Sequence, residues 1–305
     1  MPSEPHRSVT RTTGDWLVDC ALGAAIGFGR ILPRDRRVPA VAGLGRRVMA
    51  RTKFLARAEE HLAFVWPDMP PARRREIALG SIDNMARTIV ENLDPPSLLS
   101  RARGWTPEGP GVEALDRAQA DGRPAIIVSG HFGNWEAARA ALTLRGHRVG
   151  ALFRPFNNGF LMDRQIAALE GFGVPAFPRG RQGLRDFLRH LKDGGMGGIL
   201  IDQFVAEGVM LDFLGQPAPT TLSAAELALR YDAPLIPFYG IRRDNGLDFD
   251  VVVEGPVPAG TPEEMMQAVN DSLSVRITEH PDQWLWPHRR WKHGRIRRHK
   301  MFDLD

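Results

Sequence analysis

The stretch Val128-Ser129-Gly130-His131-Phe132-Gly133-Asn134-Trp135-Glu136 concentrates residue types that can do acid–base chemistry. An imidazole beside a carboxylate keeps one tautomer and accepts a proton at low cost, because the carboxylate stabilises the imidazolium. His131 and Glu136 lie five apart, so they do not meet on one regular helix. They meet if His131 sits on a turn and Glu136 in the first turns of the helix that follows. Gly130 and Gly133 let the backbone bend and approach a ligand closely, and Asn134 is a natural N-cap. Such a pair deprotonates a hydroxyl without a Ser or Cys nucleophile, a contribution of typically ~10²–10⁴-fold. A lone histidine more often only fills a polar turn. The flanking Gly, Asn and Glu favour the chemical reading. No G-x-S-x-G frames Ser129 as a nucleophile. No second His/Asp cluster has metal-ligand spacing, so neither a metal nor another cofactor is expected. The single Cys20 excludes an intrachain disulfide and cysteine zinc sites, and favours a reducing compartment.

These residues need a frame. From about residue 111, short apolar runs alternate with helical segments. Strands are expected at Ala125–Ser129, Val149–Phe153, Val174–Phe177, Gly198–Asp202, Val209–Phe213, Leu235–Ile241 and Phe249–Glu254. Helices are expected at Asn134–Leu144, Phe160–Gly171, Gly183–Lys192, Leu222–Tyr231 and Pro262–Glu279. This alternation predicts an α/β fold, a mixed, mostly parallel sheet flanked by helices. It also places the His131 turn at the carboxyl end of a strand, where such sheets build their sites. Asp202 ends a strand at the same edge, beside Gln203, and reads as a carboxylate supporting another site residue or orienting the acceptor, or else as a loop carboxylate satisfying amides. Pro217–Thr221 reads as a turn whose Thr220 or Thr221 caps the next helix. Residues 38–100 read as helices, with a 3.6-residue apolar period over Arg73–Leu93.

The 305 residues are 43% hydrophobic and 25% charged, which excludes wholesale disorder. The net charge of +4 hides two basic ends. Residues 1–57 carry 11 Lys/Arg against 4 acids, and His288–Lys300 carries seven Lys/Arg and no acid. Basic ends suit lipid head groups or nucleic acid. Trp16–Leu32 is mostly apolar but spans only roughly 25 Å as a helix, short of a ~30 Å hydrocarbon core. It reads as a membrane-associating helix that enters or lies on a bilayer, with a Gly/Ala-rich core helix as the bland competitor. The expected organisation is an N-terminal membrane-associating segment (1–35), a helical region (36–105) and an α/β domain (106–305). Trp284, Trp286 and Trp291 interleave with basic residues, which suits a membrane interface, single-stranded nucleic acid, or plain packing against the sheet.

HFGNWE resembles the H-x4-[D/E] signature of the lysophospholipid acyltransferase superfamily, and more closely the bacterial lipid A biosynthesis (lauroyl/myristoyl) acyltransferases. Phe153-Arg154-Pro155-Phe156-Asn157-Asn158 is similar to that family's R-P-x-N segment. Ile201-Asp202-Gln203 with Phe213–Thr220 is similar to its D-Q…F-x-G-x-P-A-x-T block, and Pro281–Lys292 to its P-E-Q-W-x-W-x-H-x-R-W-K ending. The ordered blocks span about residues 15–292. The resemblance implies a glycerolphosphate acyltransferase-like fold and transfer of an acyl chain from an acyl thioester on acyl carrier protein. The acceptor would be an anionic glycolipid, a lipid A precursor, among inner-membrane lipids at the cytoplasmic face, with no nucleic acid partner. It makes His131 the general base and Glu136 its charge partner, with no covalent acyl-enzyme. Gly130, Gly133, Asn134, Arg154, Arg164, Asp202 and Gln203 would bind substrate. Backbone N–H groups near Gly130–Gly133, or a nearby Arg, would stabilise the oxyanion. Ala167–Gly173 lacks the Arg that the family places there, leaving Arg154, Arg164 or Arg179 as substitutes. The rival readings are an acyltransferase acting on another glycolipid or a lysophospholipid, an acyl-thioester hydrolase using water, and a basic lipid- or nucleic-acid-binding protein.

Overall fold

The computed structural model describes residues 12–29, 31–155, 158–173 and 175–291. Five helices come first: α1 (Thr13–Gly29), α2 (Arg34–Met49), α3 (Lys53–Val65), α4 (Pro71–Asn92) and α5 (Pro95–Ala102). Then follow β1 (Pro107–Glu108), α6 (Gly111–Ala120), β2 (Ala125–Ser129), α7 (Trp135–Leu144), β3 (Val149–Phe153), α8 (Gly159–Glu170), β4 (Ala176–Pro178), α9 (Arg181–Lys192) and β5 (Met196–Leu200). A hairpin of β6 (Val209–Phe213) and β7 (Gln216–Thr220) precedes α10 (Ser223–Arg230), β8 (Leu235–Arg242), β9 (Phe249–Val253) and α11 (Pro262–Glu279).

Among the described residues, the main sheet runs β1-β9-β8-β2-β5-β3-β4, and only the β8–β9 pairing is antiparallel. The expected mostly parallel α/β fold is therefore observed. β2 lies at the centre and is buried along its whole length, as its unbroken apolar run requires of a strand covered on both faces. Ile126 and Val128 enter the core beneath α3, α10 and α11, while Ala125 and Ile127 enter the core beneath α6 and α7. The two-residue periodicity of the strand thus divides one sequence run between two cores.

Several expected boundaries move. The fourth and fifth strands are Ala176–Pro178 and Met196–Leu200, not Val174–Phe177 and Gly198–Asp202. Asp202 consequently lies beyond its strand rather than ending it. The segment read as the turn Pro217–Thr221 is largely strand β7, paired to β6 through a two-residue turn at Leu214 (φ 57°) and Gly215 (φ 74°). Positive φ at both positions matches the twist of a tight hairpin. Pro217 and Pro219 conceal this strand in the sequence because proline is confined to edge positions of a ladder. Leu222, not a threonine, occupies the α10 N-cap position, although Thr221 Oγ1 accepts the Ser223 amide at 3.3 Å.

α1 packs on α2 and α8. Its Asp19 pairs with Arg164 of α8, and its Asp15 carbonyl accepts from Asn158 Nδ2 at 3.1 Å. Among the described residues, no helix is long and apolar enough to cross a membrane. The basic residues from Lys292 onward lie outside the described residues.

Candidate active site

The site grows out of strand register. β2 and β5 are adjacent and parallel, with Ser129 opposite Leu200, and the ladder continues one step as the Ile201 amide donates to Ser129 oxygen at 3.0 Å. The next residues out, His131 and Asp202, each stand two positions past a paired strand end. The register brings them level at the carboxyl edge. His131 Nδ1–H donates to Asp202 Oδ1 at 2.8 Å, and the His131 backbone amide donates to Asp202 Oδ2 at 2.7 Å. Trp284 Nε1–H donates to the same Oδ2 at 2.9 Å. Burial alone would raise the Asp202 carboxyl. The charge on His131, its ring and amide hydrogen bonds, and the Trp284 indole outweigh burial and hold it well below the usual carboxylate range.

With Nδ1 committed as a donor, the ring in its unprotonated form presents Nε2 as its acceptor. Nε2 faces a cavity of about 850 Å³, with the amide of Gln203 3.5 Å away. Met85 and Ile89 of α4, Leu93 just past its end, Leu161 and Leu169 of α8, and Phe153 of β3 line much of this cavity. Apolar surface predominates in its walls, and Glu136, Arg139, Arg154, Arg164 and Arg179 are among its polar lining residues. His288 stacks over His131 at 6.4 Å between ring centroids and 14° between planes. Burial pushes the His288 ring down to about 4, so it is neutral near pH 7, and its Nε2 accepts the Phe204 amide at 3.4 Å. A neutral neighbour adds no repulsion to a proton arriving on His131.

The expected Glu136 partnership with His131 is corrected. Glu136 lies in the first turn of α7 and lines the same cavity, but its carboxylate is taken by Arg139 three residues on, whose Nε donates at 2.7 Å. The i,i+3 spacing on one helix made that pairing available, and Asp202 had already claimed the imidazole. Asp202 instead stands behind the imidazole, and its second oxygen accepts the His131 backbone amide.

Asn134 does not contact the cavity. It caps α7, with Oδ1 accepting the amides of Glu136 (3.0 Å) and Ala137 (3.2 Å), and it is fully buried. Gly130 and Gly133 serve packing. A Cβ on Gly130 would meet Leu273 at 2.6 Å and Asp202 Oδ2 at 3.0 Å, and one on Gly133 (φ 55°) would meet Gly240 oxygen at 1.9 Å. Two of the backbone amides expected near Gly130–Gly133, and the next one along, are engaged elsewhere. The amides of His131, Gly133 and Asn134 donate to Asp202, Gln283 and Gly240 respectively. Arg164 lines the cavity but is paired with Asp19. Arg154 and Arg179 also line it, and Arg154 is exposed, with no side-chain partner among the described residues.

Sequence reasoning missed the groups that fix the turn from behind. Glu91 of α4, almost completely buried, accepts from both Arg242 terminal nitrogens (2.7 and 2.9 Å) and from Asn134 Nδ2 (2.9 Å). Asn84 and Thr88 donate to the Gly133 carbonyl, each at 3.0 Å. Their positions on the buried face of the α4 period were the available signal. The Gln283–Trp291 segment closes the other side, pairing Leu285 N with His131 O at 3.1 Å. Trp284, Trp286 and Trp291 are buried against one another, with Trp284 and Trp286 rings 4.8 Å apart. They are core residues, not an interfacial belt. Arg290, counted in the basic tail, is also fully buried. It donates to the Pro219 carbonyl and to Thr220 Oγ1, and burial pushes it down to about 10.

A histidine held by a buried carboxylate at the carboxyl edge of a parallel sheet, opening onto a largely apolar cavity, has the geometry for general-base chemistry on a substrate with a hydrocarbon part. Comparison with known proteins names the family. The model described as bacterial lipid A biosynthesis acyltransferase matches residues 1–293, and the chain belongs to that family; it is an acyltransferase. It is 26% identical over 290 residues to a phosphatidylinositol mannoside acyltransferase of Mycobacterium tuberculosis (strain CDC 1551 / Oshkosh), covering 93% of this chain and 90% of the relative. It is 23% identical over 241 residues to a lipid A biosynthesis acyltransferase of Haemophilus influenzae, covering 77% and 74%. It is 24% identical over 264 residues to a lipid A biosynthesis lauroyltransferase of Escherichia coli (strain K12), covering 82% and 83%.

Proposed function

We propose that this chain moves a fatty acyl group from an acyl thioester on acyl carrier protein to a hydroxyl of a lipid A precursor, working at the cytoplasmic face of the inner membrane. The observation that carries the reading is His131, fixed through Nδ1 by Asp202, with Nε2 open to the apolar cavity. Nε2 takes the proton of the acceptor hydroxyl as its oxygen attacks the thioester carbonyl carbon. The tetrahedral oxyanion collapses, the C–S bond breaks, and the leaving thiolate takes the proton back from the imidazolium. Asp202 stabilises that imidazolium while it exists. No acyl-enzyme forms, because no side-chain nucleophile is used. The cavity holds the acyl chain. Arg154, exposed at the cavity, meets an anionic group of the acceptor. The exposed Leu44, Val48 and Phe54 stand among Arg46, Arg47, Arg51 and Lys53, a mixture suited to an anionic bilayer surface.

The longer match to the phosphatidylinositol mannoside acyltransferase supports a second reading, in which the acceptor is a mannosylated phosphatidylinositol. One assay tests both. The purified chain is given acyl carrier protein thioesters of graded chain length with each glycolipid, and products are read by mass spectrometry. A new acyl ester on one glycolipid establishes the acceptor. Release of free fatty acid alone would replace transfer by hydrolysis.

A further inference from the structure

Strand β5 carries adjacent glycines, Gly197 and Gly198, although glycine weakens a strand interior unless something else needs the room. Packing explains the first. A Cβ on Gly197 would meet the Phe187 ring of α9 at 2.5 Å, and one on its β3 neighbour Gly150 would meet Phe177 at 2.6 Å. A Cβ on Gly198 would point to the opposite face and meet no such obstacle. Its nearest atoms would be the Gly150 carbonyl oxygen at 3.5 Å, Val149 Cγ1 at 3.6 Å and Ile127 Cγ1 at 3.9 Å, all ordinary contacts. β5 lies inside the sheet, between β2 and β3, yet Gly198 is only half-buried, because the cavity that His131 faces reaches it.

Strand register gives the shape of this arm. Ile127, Gly198 and Ala151 form one row across β2, β5 and β3, and Gly198 and half-buried Ala151 line the cavity. Leu200 and Phe153, two residues nearer the carboxyl edge, line it as well. Met196 and Val149, two residues further from that edge, pair with each other and are almost completely buried, and the cavity lining stops short of them. The arm therefore begins at the His131 edge and ends just below Gly198. The backbone groups of this row are spent on the ladders to β2 and β3, so it suits an apolar occupant. Gly198 stands four residues before Asp202, about 13 Å down the strand at about 3.3 Å per residue. An extended acyl chain advances about 1.3 Å per carbon, from C–C bonds of about 1.5 Å at the tetrahedral angle. With its carbonyl beside His131, a chain brings about its tenth carbon level with Gly198, and the arm takes on the order of 12 carbons.

We propose that Gly198, with Ala151 beside it, sets the length of acyl chain that the enzyme takes from its donor. The methyl end of the chain lies over this bare row, and the Met196–Val149 row stops it. The proposal rests on the acyl-transfer reading above and adds to it the residue that selects among donors.

The test gives the full purified chain an equimolar mixture of octanoyl, decanoyl, dodecanoyl, tetradecanoyl and hexadecanoyl thioesters of acyl carrier protein. A lipid A precursor and a mannosylated phosphatidylinositol are the acceptors. Mass spectrometry reads the chain lengths in the new esters, which in a competing mixture report relative kcat/KM. The unaltered chain should favour dodecanoyl over hexadecanoyl by at least about tenfold. Gly198→Val, whose branched side chain suits a strand, should lower the dodecanoyl-to-octanoyl ratio by at least about tenfold, the cost of excluding two methylenes from an apolar site. Gly198→Leu should lower it further, and Ala151→Val, in the same row, should act in the same direction. Should the Gly198 variants fail to fold, as a melting scan would report, Ala151→Val carries the test. Equal use of dodecanoyl and hexadecanoyl by the unaltered chain would overturn the proposal while leaving acyl transfer standing. A dodecanoyl-to-octanoyl ratio unchanged in the folded variants, whether or not total transfer falls, would do the same. No transfer to either acceptor by the unaltered chain would overturn the acyl-transfer reading and the proposal with it.

Discussion

Asp202 holds His131 at two points, the ring Nδ1 at 2.8 Å and the backbone amide at 2.7 Å, while the Trp284 indole donates to the same carboxylate. This arrangement predicts a specific defect for Asp202→Asn. Oδ2 receives two N–H groups, so the asparagine must place its carbonyl oxygen there and turn its NH₂ toward Nδ1. The imidazole then carries its proton on Nε2 and cannot act as a base. Transfer should fall about 10³-fold or more in kcat with little change in either KM. Steady-state kinetics checks this, and a loss confined to KM would remove Asp202 from the proton chemistry.

Glu91 and Arg242 predict a defect of stability. Glu91→Gln leaves Arg242 as a buried cation with a weakened partner and loosens the Asn134 cap of the helix after the His131 turn. Breaking a buried pair on one side costs about 3–5 kcal/mol. Urea unfolding should show a lower midpoint, and an unchanged midpoint would contradict the assigned network.

Stability should also decline in mild acid. His288 titrates at about 4 in the folded chain because burial disfavours its charge, and burial likewise lowers His147 and His190. The unfolded chain, with histidine near 6.5, binds more protons than the folded one between those values. Stability is therefore fully present above about pH 6.5 and is lost as pH falls toward 4. Melting scans across that window should show Tm falling, and His288→Gln should flatten the slope. A slope identical in the variant would assign the whole effect to other groups.

Arg154 predicts a binding effect. Exposed at the cavity with no side-chain partner among the described residues, it is free to meet an anionic acceptor, whereas Arg164 is occupied by Asp19. Arg154→Ala should raise the KM for an anionic acceptor more than it lowers kcat. The reverse pattern would place Arg154 on the developing oxyanion instead.

The sequence carried the scaffold well and the partnerships poorly, for a physical reason. Ala125–Ser129 and Pro262–Glu279 were visible because burial on both faces, or a capped amphipathic helix with Thr261 and Glu264 at its start, leaves a local pattern. The β6–β7 hairpin was half hidden because prolines at 217 and 219 read as turn. His131 and its loop were found from local residue types. Its partner was not, because Asp202 is 71 residues away and reaches His131 through the parallel β2–β5 register. Glu136 is close in sequence, and that closeness favoured the wrong carboxylate as the partner of the imidazole. The tryptophans read equally as interfacial or as packing residues and Arg290 as part of the basic tail, and in the structure all four side chains are buried.

The central claim is that His131 is the base. The most direct measurement is acyl transfer by purified His131→Ala with acyl carrier protein thioester and glycolipid acceptor, alongside a melting scan. The account predicts transfer lowered by at least about 10²-fold with the fold retained. Transfer near that of the unaltered chain would contradict it.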